Sequence, residues 1–167
     1  MDIFVEKLVK RKKSGTDYVY IAGIAVLALI LILLVFSIPA LQRLTMLLSV
    51  VIIYGAYLLI SGKNIEFEYA LTNGELDIDK IINKKRRKSV LSVNCKDFEI
   101  FAKLNSEHYD KSFDAIKLRI DATSSMKSPD VYFAVFMDDK EKVIFFFEPN
   151  EKMVDGIKKA NPRNVYA

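Results

Sequence analysis

Cys95 and His108 are the side chains of this 167-residue chain whose types suit nucleophilic catalysis, and each is the sole residue of its kind. A Cys/His pair also needs an orienting acid or amide and a site for the oxyanion. Cys95 ends an apolar stretch, where a small buried thiol is common, and His108 lies in a polar loop. The sequence therefore predicts no catalytic residue. A membrane-tethered enzyme is an alternative that depends on these two side chains.

Metal and cofactor sites find no better support in the sequence. One Cys and one His do not provide the cluster of ligands that binds a metal ion. Neither a P-loop nor a dinucleotide-binding glycine motif occurs along the chain. We therefore expect no bound metal and no cofactor.

The second group of candidate functional residues is a run of five consecutive cations, called here the basic run: Lys84, Lys85, Arg86, Arg87 and Lys88. Nucleic-acid binding is one function of such a run, but it requires a larger basic face. From residue 63 onward the chain is nearly neutral, with 19 basic and 18 acidic residues. The sequence therefore predicts no nucleic-acid partner. The remaining interpretations of the run are a solvated loop and a contact with anionic lipid.

Two apolar segments, residues 18–38 and 44–60, contain no Asp, Glu, Lys, Arg or His. As helices they would be about 31 Å and about 26 Å long, which brackets the hydrocarbon thickness of a bilayer. Residues 39–43 are too few to do more than reverse the chain, so we predict a transmembrane hairpin over residues 18–60. The hairpin lacks the buried charges that transport pathways use. A cleaved signal peptide is the competing interpretation, but a second apolar segment follows at once.

The distribution of cations predicts the orientation of this hairpin. Residues 1–17 contain five Lys/Arg, whereas the turn between the spans contains Arg43 alone. By the positive-inside rule, the N-terminus and the C-terminal domain lie in the cytoplasm of a two-span cell-membrane protein. A single cysteine cannot form an intramolecular disulfide, which agrees with a reducing compartment.

The first 17 residues form a separate basic segment in this interpretation. Met1, Phe4, Val5 and Leu8 recur at helical spacing opposite a basic side, which predicts a short amphipathic helix over residues 1–13. A frayed cationic tail is the alternative. Either structure would bring four cations to the membrane surface: Lys10, Arg11, Lys12 and Lys13.

Beyond residue 61 the periodicity changes from helix to strand. Residues 65–72 and 75–82 alternate apolar and polar side chains around Asn73-Gly74, which is the strongest short-range signal for a β-hairpin. The other face of the hairpin is acidic, and we call it the acidic face; it is either a solvated surface or a docking surface for a basic partner. Its members are Glu66, Glu68, Asp77 and Asp79.

Five more strands and one helix complete the predicted domain, which covers residues 61–167. The helix runs from about residue 150 to 160, with Met153, Val154 and Ile157 on its buried side. The apolar and polar pattern predicts the strands at 90–95, 98–104, 115–121, 131–138 and 142–148.

Seven antiparallel strands capped by one C-terminal helix resemble the pleckstrin-homology-like (PH-like) barrel, in which the helix closes one open end. The stretch from Tyr69 to Ile78, YALTNGELDI, is similar to the opening hairpin of bacterial membrane-anchored PH-like domains. Two spans followed by such a domain resemble a family of small membrane proteins of Gram-positive bacteria. Phosphoinositide-binding PH domains have a longer basic loop where this chain has Asn73-Gly74. The resemblance therefore implies a recognition module whose ligand it does not name.

The short connection between the second span and the first strand of this domain places the basic run. Residues 61–64 allow at most about 18 Å between the end of the helix and Ile65. The hairpin brings Ile82 back opposite Ile65, so the basic run should reach the headgroups of the membrane.

These observations predict a non-enzymatic, membrane-anchored recognition or scaffold module. Its expected partners are the lipid bilayer, with anionic lipid at the basic run, and a protein or peptide that the sequence does not identify. The rival interpretation is an accessory subunit whose spans pack against a larger membrane complex.

Overall fold

The computed structural model describes residues 4–166, which divide into two units. The helical unit is Lys12–Ile65. The β-rich unit combines the described residues before Lys12 with those that follow Ile65. The helical unit is therefore an insertion into the sequence of the β-rich unit.

The helical unit contains two long helices, α1 (Gly15–Ser37) and α2 (Thr45–Ser61), joined by a 3₁₀ turn at Pro39–Leu44. The segments Gly15–Ser37 and Pro39–Ser61 are each 23 residues long, with mean hydropathies of 3.1 and 2.2. Both are long and apolar enough to cross a membrane. The observed helices agree with the predicted segments to within three residues at every end.

A polar cluster joins the start of α1 to the chain that leaves α2. Ser14 caps α1, and its backbone N–H donates to Asp17 Oδ2 at 3.1 Å in a capping box. Lys63 Nζ lies 3.4 Å from Asp17 Oδ1 and 4.5 Å from the centre of the Tyr20 ring. These contacts hold the open ends of the hairpin together.

The β-rich unit contains nine strands and one α-helix among the described residues. The helix α3 is Glu151–Ala160, which confirms the predicted C-terminal helix. The strands are β1 (Phe4–Lys10), β2 (Ile65–Thr72), β3 (Glu75–Ile82), β4 (Arg86–Asn94), β5 (Phe98–Lys103), β6 (Leu118–Asp121), β7 (Tyr132–Asp138), β8 (Glu141–Phe147) and β9 (Val165–Tyr166).

These strands form two sheets, with the orders β1-β2-β3-β4 and β6-β8-β7-β5-β9. All seven strands predicted from the sequence are present, and β1 and β9 are additional. The sheets do not close into a barrel, and the pairs β5/β9 and β6/β8 are parallel. The prediction of a seven-stranded, fully antiparallel barrel was therefore wrong in strand number, closure and direction, although two sheets with a C-terminal helix fit a PH-like fold.

The N-terminal segment is a strand, so both the amphipathic helix and the frayed tail were wrong over residues 4–10. β1 pairs antiparallel with β2 from Phe4 opposite Thr72 to Lys10 opposite Glu66. Val5 and Val9 turn toward the interior on this strand, whereas Phe4 and Leu8 are exposed. Pairing with β2 satisfies the backbone of a segment too short to form a stable helix alone. The part of the predicted segment before Phe4 lies outside the described residues.

The predicted turn between β2 and β3 is confirmed. Asn73 and Gly74 have φ values of 52° and 89°, the left-handed conformation that a two-residue hairpin turn requires at both positions. A Cβ added at Gly74 would lie 3.1 Å from the Cβ of Ala160, the last residue of α3. Gly74 is therefore needed both for its backbone conformation and for the close approach of the helix.

The core lies between the two sheets and α3. Tyr69, fully buried, extends from β2 toward the second sheet, where its hydroxyl donates to the Ala122 carbonyl at 2.5 Å. Its ring makes an edge contact with Phe147 at 5.5 Å between centroids. From α3, Met153 and Ile157 are fully buried, as the helical spacing predicted, whereas Val154, which was also predicted on the buried side, is only half-buried.

Candidate functional site

The basic run lies at the end of the first sheet from which the chain leaves for the helices. Lys84 and Lys85 belong to the turn between β3 and β4, and Arg86 opens β4 opposite Ile82. At the same end of the sheet, Lys10 is the last residue of β1. The antiparallel register therefore brings Lys10 and the basic run, which are far apart in sequence, to one end of one sheet.

Arg87 differs from the other cations of the basic run because it is paired. Its guanidinium forms a salt bridge with Glu68 and lies 3.4 Å from Asp79 Oδ2. The pairing holds Arg87 on the outer face of the sheet, above the acidic side chains of β2 and β3. Because the Arg87 side chain is 60% exposed, these contacts add little to stability. They do reduce the number of cations that are free to contact a ligand.

The acidic face is less accessible and less acidic than its sequence suggests. Glu66 is buried and lies opposite Lys10, and Glu68, Asp77 and Asp79 are only partly exposed. Arg87 neutralises part of the charge of Glu68 and Asp79. The structure thus joins two groups of predicted site residues, the basic run and the acidic face, through one side chain. The sequence did not reveal this link because β4 returns to β3 only in the folded sheet.

Lys12 and Lys13 are in the linker between β1 and α1, next to the strand that ends at Lys10. Lys12 is exposed in this linker and Lys13 is partly buried. Arg11 has further interactions in the structure and is not a free cation. The four cations predicted beside the first span therefore lie at the junction of a strand and a helix, not on one helical face.

A cleft of about 580 Å³, called here the β1 cleft, opens beside β1 on the β-rich unit. The sequence did not predict this cleft, because its walls come from four elements, β1, β5, β7 and α3, that are separated along the chain. Its lining consists of Lys7 of β1, Lys103, Asp130 and Tyr132 near the ends of β5 and β7, and Pro149, Asn150, Glu151, Val154 and Asp155 at the start of α3.

Tyr132 forms the aromatic wall of the β1 cleft. Its ring stacks on Phe101 with 5.2 Å between centroids and an interplanar angle of 13°. Lys103 Nζ lies 5.7 Å from the Tyr132 ring centre, within the range of a cation–π contact. The ring is therefore held in a fixed orientation by a buried aromatic neighbour.

The wall that α3 provides is fixed by its N-terminal cap. Asn150 caps the helix, accepting a hydrogen bond from the Met153 N–H at 2.8 Å through its side-chain oxygen. Behind the cap, Glu148 is buried and accepts from the N–H and hydroxyl of Ser124 at 3.0 and 2.8 Å. The first turn of α3 thus has a well-defined position beside the cleft.

Cys95 and His108 occupy different surroundings and neither belongs to the β1 cleft. Cys95 is fully buried, and burial raises the pKa of its thiol to about 12. His108 is partly buried and stacks on Tyr166 with 4.2 Å between ring centroids. A protonated buried thiol is a poor nucleophile, and the imidazole serves as a packing surface for β9.

No group of three or more His, Cys, Asp or Glu side chains within residues 4–166 has an arrangement that could hold a metal ion.

The whole chain, residues 1–167, matches the family model described as Bacterial PH-like domain (DUF6106). The chain belongs to this bacterial PH-like domain family. The match includes the helical unit as well as the β-rich unit, so the helices are part of the family pattern. Comparisons with curated proteins and with solved structures gave no match. Membership in the bacterial PH-like family thus agrees with the two sheets and C-terminal helix described above, and it assigns no ligand.

Proposed function

We propose that this chain is a membrane-anchored, non-enzymatic recognition module that presents its PH-like domain at the cytoplasmic face of the cell membrane. The observation that carries the proposal is the insertion of two apolar helices between β1 and β2, which are neighbours in one sheet. Linkers of four residues (11–14) and three residues (62–64) connect the helices to these strands. Both ends of the helical unit therefore connect through short linkers to neighbouring strands of one sheet.

The cytoplasmic orientation is supported by the cations that flank the helices. Five Lys/Arg precede Tyr18 and the basic run follows α2, whereas Arg43 is the sole cation between the helices. Cytoplasmic flanks of membrane helices carry such an excess of Lys and Arg. The pairing of Asp17 with Lys63 supports a shared interfacial position for the start of α1 and the end of α2.

The basic run is the part of the domain that we propose to contact anionic headgroups. Lys84, Lys85, Arg86 and Lys88 lie at the end of the sheet where both tethers attach, together with Lys10. Each cation near an anionic surface contributes on the order of 1 kcal/mol, which salt screens. Arg87 contributes less in this proposal, because Glu68 and Asp79 already neutralise it. The contact orients the domain and leaves its other surfaces free for a partner.

The absence of enzymatic function in this proposal is supported by the surroundings of the two reactive residue types. The pKa of the Cys95 thiol is raised to about 12 by burial, so almost no thiolate exists at neutral pH. His108 packs against Tyr166, away from the β1 cleft. If the protein were an enzyme that used Cys95 or His108, changing either residue to alanine would cause a loss of function.

An accessory subunit of a larger membrane complex is the second candidate, and the helical unit provides an observation in its favour. A groove of about 250 Å³ with almost purely apolar walls runs between α1 and α2. Gly55 and Ala56 on one side and Ala28 on the other keep the groove open, and small residues of this kind permit close packing of a third helix.

Two measurements test the proposal. A reporter that is active only in the cytoplasm should work when fused after Ala167 and should be inactive when inserted at Gln42; activity at Gln42 would reverse the orientation. Purification in a mild detergent separates the two candidates. A recognition module should elute at the size of the chain alone or with a partner that dissociates, whereas an accessory subunit should co-elute with other membrane proteins in a fixed ratio. Leu59→Trp, which obstructs the groove, should disrupt a fixed-ratio complex with other membrane proteins and should leave a dissociable partner bound as before.

A further inference from the structure

The strand β1 is the outer strand of the first sheet, and one of its residues, Lys7, lines the β1 cleft. Its neighbour in the sheet is β2 alone, and no backbone hydrogen bond within the described part of the chain joins residues 4–10 to any other element. The outward N–H and C=O groups of such an edge strand are a template for another strand. Lys7 is in the middle of β1, so the cleft lies alongside the strand that has the unpaired edge.

The dimensions and walls of the β1 cleft suit the side chains of an extended peptide. A volume of about 580 Å³ lies within the usual range of sites that hold a ligand. One wall is the fixed ring of Tyr132, and Val154 of α3 contributes a small apolar surface. A strand added to β1 directs alternate side chains to one side of the sheet. Those side chains would enter the cleft.

The charges of the cleft are of both signs and are not paired with one another. Lys7 and Lys103 provide cations, and Asp130, Glu151 and Asp155 provide anions, but no ion pair joins any of these five side chains in the described structure. An anionic lipid headgroup is a poor match for this mixture, because the acids would repel it. A peptide that carries both an acidic and a basic side chain matches it.

We propose that the β1 cleft binds an extended peptide segment of a partner protein, which adds to β1 as a fifth strand of the first sheet. The inference rests on the proposed recognition function and names its binding surface and the class of its ligand. Main-chain hydrogen bonds to β1 hold the peptide, and Tyr132 with the charged side chains of the cleft selects its sequence. The basic run and the acidic face take no part in this contact.

The test uses the full-length chain reconstituted in lipid nanodiscs and a display library of random linear ten-residue peptides. Peptides that bind should be enriched, and their affinity should fall at least tenfold for Val154→Trp, which fills the cleft, and for Lys103→Glu. Lys152→Trp is the matched control, because Lys152 is exposed on α3 and does not line the cleft; it should leave affinity unchanged. Circular dichroism establishes that each variant is folded, and Lys103→Glu keeps the test valid if Val154→Trp unfolds the domain.

The binding mode is tested on one selected peptide, synthesised with N-methyl groups on alternate residues. Strand addition uses every second N–H of the peptide, so methylation in one register should abolish binding and methylation in the other should be tolerated. An unenriched library, equal affinity of the variants and the wild type, or equal tolerance of both methylation registers would each overturn the inference. The reporter fusions at Gln42 and Ala167 are scored on the same variants. If the reporter fusions show the expected orientation but no peptide is enriched, strand addition to β1 is refuted and the proposed function is not.

Discussion

Lys10 of β1 lies directly opposite Glu66 of β2, although residues 11–65, including both long helices, separate them in the chain. The helical unit therefore begins and ends at neighbouring positions of one sheet. Two apolar helices inserted in this way are joined to the β-rich unit through two adjacent strands. The strand β1 therefore belongs to the β-rich unit and cannot be removed together with the helices.

A soluble domain should need β1 to be stable. The end of β1 lies opposite the start of β2. We therefore expect the domain to fold when a four-residue Asn/Gly loop replaces residues 11–64. A chain that starts at Ile65 should lose at least about 2 kcal/mol of unfolding free energy, since it gives up the burial of Val9. Urea unfolding followed by circular dichroism measures the difference. Equal stability of the two chains would contradict the assignment of β1 to the domain.

Substitution of Gly74 should destabilise the first hairpin. Gly74→Ala places a Cβ 3.1 Å from the Cβ of Ala160 on a backbone with φ of 89°, and both effects are unfavourable. We expect a loss of about 1 to 2 kcal/mol, and a larger loss for Gly74→Val. Thermal and urea unfolding measure it. The neighbouring exposed residue provides the control, since Glu75→Ala should change stability by less than about 0.5 kcal/mol.

Removing the Tyr69 hydroxyl should weaken the connection between the two sheets. The hydroxyl donates to the Ala122 carbonyl at 2.5 Å and lies 3.4 Å from the Glu148 backbone nitrogen. Tyr69→Phe leaves these buried groups without that partner and should cost about 1 to 3 kcal/mol. The same change at the exposed Tyr166 should have little effect. If both variants unfold at the same urea concentration as the wild type, the hydroxyl has no structural role.

Cys95 should make the folded state less stable at alkaline pH. Its folded pKa of about 12 lies above the value of an exposed thiol, about 8.5, so the unfolded chain releases this proton first as pH rises. The contribution of Cys95 to the free energy of unfolding is therefore fully present below about pH 8. Above pH 9 this contribution decreases by about 1.4 kcal/mol per pH unit. Cys95→Ala should show a shallower decline between pH 8 and 10. Parallel urea midpoints for the two proteins would show that the thiol is not buried.

The cations of the basic run should contribute unequally to binding of anionic membranes. Using the domain in which a short loop replaces residues 11–64, we expect replacement of Lys84, Lys85, Arg86 and Lys88 by Gln to abolish sedimentation with phosphatidylglycerol vesicles at low salt. Arg87→Gln should retain most of the binding, because Arg87 is paired with Glu68 and Asp79. Equal sedimentation of the fourfold variant and the wild type would assign the run to a solvated loop.

The sequence predicted those features that depend on local composition and spacing. The apolar segments required two long helices whatever their surroundings, because their composition excludes a water-exposed surface. Alternation around Asn73-Gly74 predicted the β2/β3 hairpin, since Asn and Gly are the residues that most readily adopt the positive φ that both turn positions require. The buried side of α3 followed from the spacing of Met153 and Ile157.

Only the tertiary structure decided where β1 belongs and what it creates. The apolar residues of the segment from Phe4 to Lys10 follow helical spacing, but the segment is a strand because it pairs with β2, which begins at Ile65, far along the chain. Local sequence carries no information about such a distant pairing. The β1 cleft, the pairing of Arg87 with Glu68 and Asp79, and the open arrangement of the two sheets have the same origin. Each depends on which surfaces meet when residues far apart in the chain pack together, and the residue pattern within any one segment leaves that open.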